Sequence, residues 1–187
     1  KRINNNFKIT DLKSNYLPVY NVDYKQKKPF EQISSKSNKY IFKCFDIASK
    51  FANKKKILGF INCPIAKEYL FKKKHQGITE YLAKKENNKN NSVMLIYNKE
   101  LSVSPITTHI PINKVIKNIS SKKIIQNVKI ISSFYRKYLN KKANFAILGL
   151  NPHSYYFSKK SREKKIMDIA VKTLNKLKIN DKGPVSS

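Results

Sequence analysis

The sequence predicts an α/β protein built on a mixed, partly parallel sheet with helices on both faces, and three observations carry that reading. From residue 40 onward, short apolar runs alternate with apolar stripes at helical spacing, and parallel strands need such helical crossovers. One pair of apolar runs is separated only by a polar turn, which adds an antiparallel hairpin. The chain's 187 residues, 40% apolar and 11% aromatic, suffice for a substantial core and argue against disorder. We expect one domain over residues 1–187, with an irregular or extended lead-in over 1–40 and the α/β body over 41–187.

The elements follow in order. Residues 1–40 are polar and interrupted by Pro18 and Pro29, so they read as loops and extended segments. Ile41, Phe45, Ala48 and Ala52 then make a helical stripe, followed by Ile57-Leu58-Gly59-Phe60-Ile61, whose unbroken apolar character fits a buried strand. A short helix carrying Lys67 and another from Thr79 to Lys85 come next. Val93 to Tyr97 and Leu101 to Ile106, joined by Asn98-Lys99-Glu100, form the hairpin. Pro111 can open a short helix, and Ile124, Val128, Ile131, Tyr135 and Tyr138 mark a long amphipathic one. A strand over Phe145 to Leu150 precedes a last helix with the stripe Ile166, Ile169, Thr173 and Leu177. Gly183-Pro184-Val185-Ser186-Ser187 reads as no closing element, and the first residue is not methionine, so the chain is expected to be incomplete at both ends.

A formal net charge of +29 invites a nucleic-acid or anionic-membrane partner. The composition favours a plainer origin. Only Arg2, Arg136 and Arg162 are arginines, whereas nucleic-acid readers lean on the planar guanidinium as well as on lysine. The lysines are scattered in short runs among abundant Asn and Ile, as an AT-rich coding sequence gives, so nucleic acid is not the expected partner. A basic nucleic-acid-binding module is kept as the rival from another class. No apolar run reaches the ~18 to 20 residues that span a bilayer, and the charged start lacks a signal-peptide segment, so no membrane partner and a cytoplasmic location are expected. Cys44 and Cys63 form no Cys-x-x-Cys pair and read as reduced thiols.

Ligands of open α/β sheets collect beyond the carboxyl ends of strands. Three polar clusters fall at such ends: Asn62 to Lys67, Thr107 to His109, and Asn151 to His153. Neutral imidazole is a common ligand of zinc and similar ions, so His109 and His153 are candidate metal ligands, with hydrogen-bonded loop residues as the alternative. His75, beside Lys72-Lys73-Lys74, reads as a solvated surface residue. No glycine-rich nucleotide loop of either standard spacing is present, so no cofactor-binding residue is assigned within the chain. Cys63 as a thiol nucleophile is a weaker reading than Cys63 as a small packed residue. No catalytic residue is assigned.

The order of these clusters carries a resemblance. Ile61-Asn62-Cys63-Pro64-Ile65-Ala66-Lys67-Glu68, Gly77-Ile78-Thr79-Glu80-Tyr81-Leu82-Ala83, Thr107-Thr108-His109, Gly149-Leu150-Asn151-Pro152-His153 and Gly183-Pro184-Val185-Ser186-Ser187 resemble successive motifs of the 4-hydroxythreonine-4-phosphate dehydrogenase family of vitamin B6 synthesis. Thr-Thr-His and Gly-Leu-Asn-Pro-His are the specific pair. The resemblance implies a fold like that of isocitrate and isopropylmalate dehydrogenases. It also implies oxidation of 4-phosphooxy-threonine with NAD or NADP, followed by loss of carbon dioxide, with a divalent metal (zinc, magnesium or cobalt) polarising the reacting oxygen. On the same basis His109 and His153 are metal ligands, and the third ligand belongs to a later His-Asp-Gln segment that this chain does not contain. Lys67, Ile78 and Thr79 fall at substrate-binding positions, the partner is a phosphorylated hydroxy amino acid, and the active site forms at a homodimer interface. This chain alone is expected to be inactive.

Two departures bear on the substrate. The family's Gly-His-Thr-Glu is here Gly77-Ile78-Thr79-Glu80, which removes one polar contact. The glycine-rich stretch after the second metal histidine is replaced by the bulkier Ser154-Tyr155-Tyr156-Phe157, less suited to close approach of backbone amides. A related dehydrogenase acting on a threonate or erythronate phosphate is therefore the alternative within the same chemistry.

Overall fold

The computed structural model describes residues 2–8, 10, 15–72, 74–75, 77–87, 92–150 and 162–185. They are of mixed α/β type and fall into two compact units, residues 1–75 and 76–187.

In the first unit two-residue strands β1 (Arg2–Ile3) and β2 (Val19–Tyr20) pair in parallel. Helix α1 (Asn38–Asn53) follows a 3-10 turn at Ser35–Ser37 that the Ser34 hydroxyl caps by accepting from the Lys36 N–H. Of the predicted stripe only Phe45 is buried, together with Ser49 and Phe51, while Ile41, Ala48 and Ala52 are half-buried. Phe51 takes the rings of Phe7 and Tyr20 edge-on, with centroids 5.3 and 5.5 Å away, a geometry that aligns ring edges with ring faces. Helix α2 (Lys67–Phe71) buries Leu70 and Phe71. Its Tyr69 carbonyl accepts from the Asn38 amide at 2.8 Å and from the Ser35 hydroxyl at 3.3 Å, which fixes α2 to the start of α1.

Between these helices the expected strand over 57–61 does not form. Leu58 is 94% and Ile61 101% exposed, and no described residue pairs with the run. Apolar character alone cannot make a strand, because its backbone groups need a neighbouring strand to bond.

The second unit begins with α3 (Ile78–Lys85), one residue from the expected start. The hairpin is reduced to one antiparallel bridge, Ile96 opposite Val103, with N–H to carbonyl distances of 2.8 and 2.9 Å. Its turn is held by Asn98, whose side chain accepts from the Glu100 N–H at 3.0 Å. Pro111 precedes α4 (Ile112–Val115), and α5 (Ser121–Tyr138) is capped by the Ser120 hydroxyl, which accepts from the Lys123 N–H at 3.2 Å.

Strand β3 (Phe145–Leu148), helix α6 (Arg162–Lys176) and strand β4 (Asp181–Val185) form a parallel crossover unit. β4 was not expected from the sequence. Gly183 and Pro184 read as chain breakers, yet they occupy an irregularity between Ala146 and Leu148 in the register, where a missing N–H and a missing side chain cost the ladder least. The core of this unit is Ile124 and Val128 of α5, Ile147 of β3, and Ala170 and Leu174 of α6. Helix α6 is thus rotated from the predicted stripe: Met167, Ala170 and Leu174 face inward, while Ile169 and Leu177 are exposed. The small Ala170 permits close packing that a count of large apolar residues overlooks.

The described residues thus contain two separate two-stranded parallel sheets in place of the single mixed sheet expected. Among them no helix is long and apolar enough to cross a membrane.

Candidate functional site

Lys67 is the first residue of α2 and its side chain is exposed. The loop before it is braced locally by the Asn62 amide, which donates to the Cys63 carbonyl at 3.0 Å, and Cys63 itself is exposed. His75 departs from its expected solvated role: it is half-buried and meets the Phe71 ring edge-on at 5.5 Å. The buried Phe71 at the end of α2 offers that ring, so the lysine run did not decide its environment.

Ile78 and Thr79 open α3. Gly77 precedes them as the N-cap, in extended backbone, and is itself buried. A Cβ at Gly77 would stand 2.8 Å from the Glu80 carboxylate, which folds back over the helix start. A carboxylate there is favoured by the positive end of the helix. Thr79 is exposed and Ile78 half-buried.

Thr107, Thr108 and His109 lie in the loop between the bridged segment and Pro111. Both threonines are half-buried, and His109 is exposed with a left-handed backbone, φ 55°. Left-handed backbone is uncommon outside glycine, although histidine is among the residues enriched there, and it is a feature found at ligand-binding loops. His153, with Asn151 and Pro152, lies outside the described residues, as does the bulky stretch 154–157. Among the described residues no group of three or more His, Cys, Asp or Glu side chains could hold a metal. Lys67 belongs to the first unit, and Ile78, Thr79 and His109 to the second.

Three features had no clear sequence signal. The Asp181 carboxylate oxygens are shielded from solvent and have no hydrogen-bond partner, although the residue as a whole is half-buried, and desolvation pushes its carboxyl above the ordinary range. In α1, the neighbouring Cys44, through charge and a hydrogen bond, and then burial, push the Tyr40 hydroxyl up. At the far end of β3, the Leu150 N–H donates to the carboxylate of Glu163.

Comparison with known proteins points to one family. The family model described as "Pyridoxal phosphate biosynthetic protein PdxA" matches residues 1–187. The 4-hydroxythreonine-4-phosphate dehydrogenase of Sulfurihydrogenibium sp. (strain YO3AOP1) is 37% identical over 143 residues, covering 74% of this chain and 44% of that relative. The protein of the same name from Campylobacter jejuni (strain RM1221) is 33% identical over 172 residues, covering 88% and 44%. Among solved structures, the 4-hydroxythreonine-4-phosphate dehydrogenases of Burkholderia phymatum and Klebsiella pneumoniae both give a TM-score of 0.69, at 24% and 21% identity. They cover 86% and 83% of this chain, and 49% and 48% of theirs, a likeness of fold. The chain spans about half the length of the curated relatives it matches.

Proposed function

This chain belongs to the PdxA family of pyridoxal phosphate biosynthetic proteins, and from that membership we infer that the protein oxidises and decarboxylates 4-phosphooxy-threonine, using NAD or NADP and a divalent metal. The observation that carries the inference is the family match along all 187 residues, with Thr107-Thr108-His109 and Asn151-Pro152-His153 in the family's order. The proposed arrangement is that of the isocitrate and isopropylmalate dehydrogenases, working as a cytoplasmic homodimer.

His109 and His153 are the proposed metal ligands. The imidazole of His109, an exposed residue with a left-handed backbone, is a ligand of the type that zinc or cobalt takes. A bound metal would supply Lewis acidity at a hydroxyl oxygen, and a bound nicotinamide would supply a hydride acceptor. Lys67 offers an exposed ammonium to the substrate's phosphate, and Thr79 a hydroxyl to its polar end. Ile78 can make no hydrogen bond, so it removes a polar contact and leaves room for a substrate with a different group there.

That loss favours a second reading within the same chemistry, a dehydrogenase of threonate or erythronate phosphate. The nucleic-acid reading gains no comparable support. Exposed lysines occupy α1, α2, α3, α5 and α6 alike, the pattern of a solvated surface.

The test is cofactor reduction by the full-length protein supplied with zinc, magnesium or cobalt. Turnover of 4-phosphooxy-threonine is the expected result, and turnover of a threonate phosphate alone would replace the substrate. His109→Ala should lower metal-dependent turnover by more than the roughly 10- to 100-fold that loss of a supporting residue costs, with the fold retained. Wild-type rates in that variant would remove His109 from the metal site.

A further inference from the structure

The segment that carries the antiparallel bridge alternates in the inverted sense. Successive side chains of extended backbone point to opposite faces, and where one face of an antiparallel pair meets solvent, that face is ordinarily polar. Here Met94, Ile96, Leu101 and Val103 share one face in the register set by the bridge between Ile96 and Val103, and all four are exposed. The opposite face holds the serines. Ser102 and Ser104 are half-buried, and the Ser104 hydroxyl donates to the Met94 carbonyl at 2.8 Å. This inner face is fixed to α5 by Tyr135, whose hydroxyl donates to the Ser102 hydroxyl at 2.9 Å and whose ring meets that of Tyr97 edge-on at 6.2 Å. A slip of one residue would turn the apolar set inward, but the bridge and these contacts hold the register.

The same stretch lacks the charge that fills the rest of the chain. Between Lys89 and Lys114 the only Lys, Arg, Asp or Glu residues are Lys99 and Glu100, whose charges cancel, although the whole chain carries +29. An acidic partner would be drawn to the lysines of the helices, not to a neutral apolar face. A second copy is repelled wherever lysines meet lysines, so it approaches closely only through a neutral surface, and a two-fold axis brings the same face from both copies.

We propose that the outward face of the bridged segment is the contact between two copies of this chain, with Ile96 and Val103 at its centre. The proposal rests on the homodimer proposed above and adds the surface through which it forms. Because the rest of each copy repels the other, association tightens as salt screens the charge.

The experiment uses the full-length protein and two readouts: the dimer dissociation constant by analytical ultracentrifugation, and the rates at which hydrogen peroxide oxidises Met94 and Met167. Met94 lies on the proposed contact, whereas Met167 is buried on the inner side of α6 and serves as the reference. Ile96→Lys should weaken the dimer about 100-fold or more, since symmetry spoils a central apolar residue twice and each loss costs roughly tenfold. Val103→Lys, across the bridge, should act alike. Met94 should oxidise about 10-fold faster in the monomer, reached by dilution or by either variant, than in the dimer, with Met167 slow in both. A wild type that is monomeric at every concentration overturns the homodimer and this contact with it. A dimer whose affinity both variants leave unaltered keeps the homodimer and overturns the contact. Met94 shielded equally in monomer and dimer shows that the remaining length of the same protein covers the face, which also overturns it. Met94 equally reactive in both places the dimer contact elsewhere. If the variants do not fold, the wild-type Met94 rates across concentration decide.

Discussion

At Gly183 a methyl group would stand 3.0 Å from both the Cβ and the carbonyl oxygen of Ile147, a buried residue of the facing strand. Neither atom can retreat without moving β3, so Gly183→Ala should destabilise the protein by about 1–3 kcal/mol, the usual cost of overpacking, visible as a lower urea midpoint. A midpoint equal to wild type would mean that the strands can part without penalty. Asp181, two residues earlier, titrates against the fold. Its carboxyl is raised by desolvation, so between the ordinary unfolded value of about 3.9 and its raised folded value the native state holds more protons than the unfolded one. Its contribution is complete below the unfolded value and is lost as pH rises through the folded one. Asp181→Asn should therefore gain on wild type as pH rises from acid to neutral, and a constant difference across urea midpoints at several pH values would refute the account. Neither residue was legible beforehand. Gly183-Pro184 looks like a chain stop, and the burial of Asp181 depends on strands that only the fold brings together.

Helices were more legible than strands, for a physical reason. A helix satisfies its backbone within one segment, so the stripe in 121–138 and the Ser120 cap suffice to place α5. A strand depends on a partner elsewhere, which a local apolar run cannot name. Residues 57–61 consequently failed, the hairpin shrank to one bridge, and β3 stopped at Leu148 rather than Leu150. Even in helices the inner face of α6 was misjudged, because Ala170 contributes by being small. Leu174, fully buried between α5 and the β3–β4 pair, tests this packing. Leu174→Ala should cost about 2–5 kcal/mol in chemical denaturation, whereas Leu177→Ala on the exposed side should cost within roughly 0.5 kcal/mol. Comparable losses at the two positions would restore the stripe predicted from sequence. The candidate site was less legible: its motifs named His109 and Thr79, but their exposure, like the bond from Leu150 to Glu163, follows from the fold.

At the scale of the whole molecule, charge and bare apolar surface oppose each other. The net charge of +29 keeps copies apart at low ionic strength, and salt screens that repulsion over a Debye length of about 10 Å at 0.1 M. What screening uncovers is the ribbon at 57–61, where Leu58 and Ile61 are bare and no described strand bonds the backbone. Such a segment is a template for pairing with its counterpart in another copy, the first step toward intermolecular β-structure. The 187-residue chain expressed by itself should remain dispersed in dilute buffer and scatter light increasingly as salt is added. Ile61→Lys places a gatekeeping charge on the ribbon without disturbing the core and should suppress that scattering. Equal scattering in both would locate the sticky surface elsewhere. The same lysine-rich composition that suggested a nucleic-acid partner would then have another consequence, that of delaying self-assembly until salt masks it.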